Sequence, residues 1–91
     1  MDVAKVKNDW QNKGFSCGIW TDPPGQVWSN FVHDEDELVM LKEGKIELSF
    51  SGQTFRPGLG EEILIPAGVR HTLKNVAQTT SRWYYGYKKS G

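Results

Sequence analysis

Gly25-Gln26-Val27-Trp28-Ser29-Asn30-Phe31-Val32-His33-Asp34-Glu35-Asp36-Glu37, running on to Gly44, is the stretch on which the reading of this chain turns. Its counterpart runs Gly60-Glu61-Glu62-Ile63-Leu64-Ile65-Pro66-Ala67-Gly68-Val69-Arg70-His71-Thr72-Leu73-Lys74-Asn75. Both histidines of the chain lie in these two stretches. Strand side chains alternate between faces, so Val27, Ser29, Phe31 and His33 share one face and Trp28, Asn30 and Val32 the other. In the second stretch Val69, His71, Leu73 and Asn75 share a face, while Arg70, Thr72 and Lys74 make the solvent face. Glu37 shares its face with Val39 and Leu41. Parity thus turns both histidines and Glu37 toward an apolar interior. A carboxylate buried there needs a cation or hydrogen bonds, because an unpaired buried charge is costly.

The rest of the chain fits around these stretches as short strands. Ten glycines and four prolines break it into brief runs of β-formers, a spacing that predicts a sandwich or barrel rather than βαβ units. Strands are expected over residues 15–20, 27–33, 37–42, 45–50, 54–56, 62–65, 69–76 and 82–88. Residues 21–25 are expected as loop, since Pro23 and Pro24 remove ladder donors. Ile46, Leu48 and Phe50 alternate with Glu47 and Ser49, the pattern of a half-buried strand. Ahead of the strands, Asn8 to Lys13 predicts one helical turn closed by Gly14. About eight strands favour closure into a small or jelly-roll barrel, which disposes of sheet edges.

Composition narrows the classes. Ninety-one residues predict a single domain, 1–91, with 1–14 as an N-terminal extension. Lys and Arg total 11, as do Asp and Glu, so the zero net charge argues against a nucleic-acid or anionic-membrane partner. The longest apolar run, Leu38 to Leu41, is far short of the ~18 residues of a membrane span. No secretory leader is expected ahead of Trp10, and the lone Cys17 offers no disulfide framework. Both features predict a cytoplasmic protein. The wealth of Trp, Tyr and Phe predicts a homodimer.

The two stretches resemble the paired motifs of the cupin superfamily, G-x5-H-x-H-x3-E-x6-G over residues 25–44 and G-x5-P-x-G-x2-H-x3-N over residues 60–75. Nine of the ten marked positions match with every gap intact, and the departure is Phe31, which stands where the family has the first histidine of its pair. The resemblance implies an all-β double-stranded β-helix of eight antiparallel strands with its site inside the mouth. It also implies one divalent transition metal, and the ligands carried over are His33, Glu37 and His71. Two imidazoles and a carboxylate suit iron, and also manganese, zinc or nickel. Taken singly, each residue has a plainer reading: a lone inward histidine is usually a hydrogen-bonded core residue, and Glu37 alone could end a solvated acidic run.

Two functions follow. One is a metal-dependent enzyme, oxygenase-like or isomerase-like, acting on a small organic substrate. Phe31 would wall its pocket, and an inward tyrosine from Arg82-Trp83-Tyr84-Tyr85-Gly86-Tyr87 would donate a proton or clamp the substrate. Parity leaves two sets, Tyr84 with Gly86, or Trp83 with Tyr85 and Tyr87; Tyr84 is assigned to the pocket beside Phe31. The other is a non-catalytic module that binds a sugar or carboxylate without metal, stacking it on Trp20, Trp28 and Trp83. Asn75 is expected to tie backbone rather than touch substrate.

Overall fold

The computed structural model describes residues 2–89. Met1, Ser90 and Gly91, the ends of the expected 1–91 domain, lie outside the described residues. The order is α1 (Val3–Asn12), β1 (Gly18–Asp22), β2 (Val27–Phe31), β3 (Glu37–Glu43), β4 (Ile46–Phe50), β5 (Gln53–Phe55), β6 (Glu62–Ile65), β7 (His71–Asn75) and β8 (Ser81–Tyr87). The strands form two four-stranded sheets, β1-β8-β3-β6 and β2-β7-β4-β5. All six ladders are antiparallel. Val39, Leu41, Ile65 and Trp83 from the first sheet meet Ile46, Leu48 and Leu73 from the second, so the main core lies between the sheets. This is the all-β jelly-roll architecture that the strand spacing predicts.

The N-terminal segment differs from expectation. In place of one turn there is a ten-residue helix, capped by the Asp2 carboxylate, which accepts from the Ala4 N–H at 3.0 Å. Val3, Val6 and Trp10 follow helical spacing and dock on the outer face of the first sheet, against Leu38, Met40 and Tyr84. Residues 1–14, read from sequence as an extension, thus include a packed helix. β3 is consequently buried on both faces: Glu37, Val39 and Leu41 look into the barrel, Leu38 and Met40 under the helix. Gly86 belongs to the covered face, where an added Cβ would collide with the Ser16 carbonyl.

Asn75 is the polar hub at one end of β7. Its Nδ2 donates to the carbonyls of Asp22, Pro23 and Thr79 at 3.2, 2.9 and 3.1 Å. Its Oδ1 accepts from the Ala77 N–H at 3.0 Å and from the Ser81 hydroxyl at 2.7 Å. Ser81 in turn leans on the turn at Gly44, whose φ of +90° and lack of Cβ both matter, since a side chain there would collide with the Ser81 hydroxyl. Asn75 therefore ties backbone, with both ends of its amide satisfied, as such a buried group requires.

Trp10 is the largest fully buried side chain and joins helix to sheet. Trp10→Ala should cost about 3–5 kcal/mol in chemical denaturation, the range for large aromatic truncations in cores. A loss under about 1 kcal/mol would show that the helix is not docked as described.

Candidate metal centre

The two motif stretches converge inside the barrel mouth. His71 opens β7 and Glu37 opens β3; His33 sits just past the end of β2. The turn at Pro66-Ala67-Gly68 locks the segment that carries His33. Gly68 N–H donates to the His33 carbonyl at 2.8 Å, and Ala67 N–H donates to the Asp36 carboxylate at 2.8 Å. Lys88 N–H holds the Asp36 carbonyl at 2.8 Å from the other side. Motif-two backbone thus fixes the motif-one histidine.

One ligand atom from each of His33, Glu37 and His71 lies within 4.8 Å of the other two. Glu37 Oε1 stands 3.5 Å from His33 Nε2 and 3.5 Å from His71 Nε2. This oxygen is buried and has no hydrogen-bond partner. Burial pushes the Glu37 carboxyl up to about 7, from an ordinary value of 4.5. His71 Nδ1 lies 3.2 Å from the Val69 carbonyl, which can only accept, so Nδ1 carries the proton and Nε2 keeps its lone pair toward the centre. Burial lowers the His71 pKa; the Val69 hydrogen bond opposes this and the nearby His33 adds to it. Its imidazole is thereby held in the neutral form a metal needs.

Around this cluster lies a cavity of about 220 Å³. Phe31 lines it, with its ring 6.3 Å from that of His71. Tyr84 does not. It is fully buried on the opposite face of β8, edge-on to Trp10 beneath the helix. The other set, Trp83, Tyr85 and Tyr87, faces the cavity. Arg82 and Lys88 flank Tyr84 and Gly86 at the same parity, and that charge pattern was the available sequence signal for the outward face. Tyr87 is the site residue that the choice of Tyr84 missed. Its hydroxyl is 3.4 Å from His33 Nε2, and burial, with the nearby Glu37 next in size, pushes its pKa up to about 12.

β2 departs from simple alternation. Its register against β7 shifts between Trp28 and Phe31, and Asn30 takes a φ of +58°. The irregularity brings Trp28, opposite Leu73, to the same face as Phe31, opposite His71. Trp28 is therefore inside and Val27 outside, the reverse of their expected faces.

An antiparallel jelly roll with His and Glu side chains gathered in its mouth defines a class of small barrel proteins. The sequence profile of the Cupin domain family matches residues 18–87, and the chain belongs to that family. A curated Streptomyces cyaneus protein named polyketide synthase CurC is 30% identical over 63 residues, which cover 68% of this chain and 41% of the relative. The chain thus spans about two fifths of that relative's length. Among solved structures, the cupin domain of Cnp3 from Schizosaccharomyces pombe superposes with a TM-score of 0.76 at 23% identity, over 85% of this chain and 57% of that one. The Cupin_2 domain of an XRE-family transcriptional regulator from Enterobacter cloacae gives 0.75 at 14% identity, over 90% of each chain. These likenesses show the fold. Among the described residues no helix is long and apolar enough to cross a membrane.

The orphaned carboxylate has a consequence for stability. Folded Glu37 keeps its proton to about pH 7, whereas the unfolded chain releases it near 4.5. The metal-free fold thus binds the extra proton and loses stability as pH rises through that window. In the presence of a chelator, raising pH from 5 to 8 should cost wild type on the order of 2–3 kcal/mol relative to Glu37→Gln in urea denaturation. Equal pH dependence in the two proteins would contradict this account of Glu37.

Proposed function

We propose that this chain is a metal-binding cupin in which His33, Glu37 and His71 hold one divalent transition metal that receives a small organic substrate. The observation that carries the reading is the buried Glu37 oxygen, placed at equal distance from two imidazole nitrogens and lacking any hydrogen-bond donor. An ion between the three groups would supply the charge that this oxygen lacks, and the neutral His71 Nε2 is already turned toward it. Two histidines and one carboxylate leave coordination positions open, as in the facial set of non-haem iron enzymes, and the set also suits zinc, manganese or nickel. When bound, such an ion supplies Lewis acidity toward an oxygen donor of the substrate.

The chain's own residues account for the rest. Phe31 offers a hydrocarbon wall at the position where the family motif has a further ligand, which keeps that side of the site free for substrate. Tyr87 holds its phenolic proton throughout the neutral range and is placed to donate a hydrogen bond to an oxygen bound beside His33. A metal-free binding module is the competing reading. The exposed aromatic wall favours it only if the cluster takes up no ion.

Calorimetric titration with zinc distinguishes the two. Wild type should take up one equivalent, and His71→Ala should bind roughly tenfold or more weakly while remaining folded by circular dichroism. Phe31→His should tighten binding by about tenfold, because an imidazole replaces a water in the coordination sphere. Absence of uptake by wild type, or uptake unchanged by His71→Ala, would overturn the assignment.

A further inference from the structure

The mouth of the cavity is bounded by a closed circuit of aromatic rings. Tyr85 meets Trp20 at a centroid distance of 6.2 Å, Trp20 meets Trp28 at 5.8 Å, and Trp28 meets Phe31 at 5.6 Å. Phe31 lies parallel to His33 at 6.2 Å, His33 meets Tyr87 at 4.9 Å, and Tyr87 returns to Tyr85 at 6.2 Å. All six rings line the cavity. They come from strands of both sheets and from the His33 segment, so no single hairpin accounts for them.

Asp22 explains how two of these rings are held. It is only 2% exposed, and its two carboxylate oxygens accept from the two indoles separately: Trp20 Nε1 at 2.8 Å and Trp28 Nε1 at 2.7 Å. The Asp22 carbonyl is anchored in turn by Asn75. A charged group spent on two indole N–H bonds does two things. It fixes the edge-to-face angle of 75° between the indoles, and it removes both N–H donors from the cavity.

What remains inside selects a ligand class. Among the described residues no lysine or arginine lines the cavity, and its polar groups are the His33–Glu37–His71 cluster, two tyrosine hydroxyls and the Trp83 indole N–H. A sugar would bury hydroxyls against carbon with too few partners, at a cost for each one. A small dicarboxylate would leave the aromatic wall uncovered. A flat conjugated ring instead matches the wall by offset or edge contacts, and each such contact adds to simple burial. About 150 Å³ of apolar cavity holds a benzene, so about 220 Å³ admits one substituted ring.

We infer that the pocket binds a planar aromatic molecule through the ring circuit, with a single oxygen-donor head directed at His33, Glu37 and His71, and that Asp22 is the positioning residue that sets the two indoles. The placement of the head rests on the metal reading above; the preference for a flat ring does not.

Calorimetry with matched probes tests it: benzoate against cyclohexanecarboxylate, and phenol against cyclohexanol, each with zinc-loaded and with chelated protein. The members of each pair share a head and differ in ring planarity. The flat member should bind roughly tenfold tighter in both metal states, the scale set by one or two aromatic contacts. Asp22→Asn supplies one acceptor in place of two, and should reduce that ratio at least threefold while zinc uptake stays at the wild-type level. Trp20→Ala, at a half-exposed position, should reduce it similarly. A flat-ring preference that persists while zinc neither binds nor alters benzoate affinity removes the metal reading, and with it the placement of the head, and leaves the ring circuit and the Asp22 role standing. Equal affinity within both pairs overturns it, as does a ratio unchanged in both variants. Tighter binding of tetramethylammonium than of benzoate in both metal states would also overturn it, since the circuit would then be a cation cage.

Discussion

A carboxylate oxygen buried between two imidazoles, with no donor to satisfy it, is the constraint around which this barrel is arranged. Hydrophobic collapse alone would expel Glu37, because the interior gives an unpaired anion no compensation. It stays because β3 is fixed on both sides. The residues that alternate with Glu37 and its inward neighbours, Leu38 and Met40, are covered by the helix through Trp10, alongside Tyr84 of β8. Rotating β3 to release the carboxylate would expose those two and break ladders with β6 and β8. The helix on the outside thereby holds an acid on the inside.

The same economy recurs at the other end of the pocket. Asn75 closes the loop after β1 and positions the Asp22 backbone, while the Asp22 side chain sets two tryptophans. A motif residue outside the cavity lining thus determines the shape of the cavity wall. Phe31 contributes in the opposite sense. It gives up the coordinating atom of its family position and supplies a ring that bridges Trp28 and His33.

Much of this was legible in the sequence because spacing encodes strands that must reach a common centre. The resemblance of the two stretches to the cupin motifs implied the cluster of His33, Glu37 and His71, and the parity of β3 and β7 carried the inward direction of Glu37 and His71. The fold class followed from the same spacing together with the turn residues. Parity failed where backbone geometry intervenes: the irregularity at Asn30, unmarked by glycine or proline, exchanged the faces of Val27 and Trp28. On β8 alternation gave two equal sets, and the covering helix hid the outward one from solvent, so a buried tyrosine proved no guide to the pocket. The helix itself was read as a single turn. The spacing of Val3, Val6 and Trp10 acquires meaning only with a sheet face to dock on. The Asp22 clamp was invisible for a related reason: residues 21–25 read as loop, whereas β1 continues to Asp22 and turns its carboxylate onto two indoles.

The central claim is that three side chains, and only three, surround a metal in this barrel. Diffraction from zinc-soaked crystals, with anomalous data collected at the zinc edge, tests it most directly. The account predicts one strong anomalous peak about 2.0–2.2 Å from Nε2 of His33, Nε2 of His71 and a Glu37 oxygen, with water or another small donor completing the sphere. A peak elsewhere on the molecule, a fourth protein ligand, or a Glu37 carboxylate turned away from the ion would contradict it.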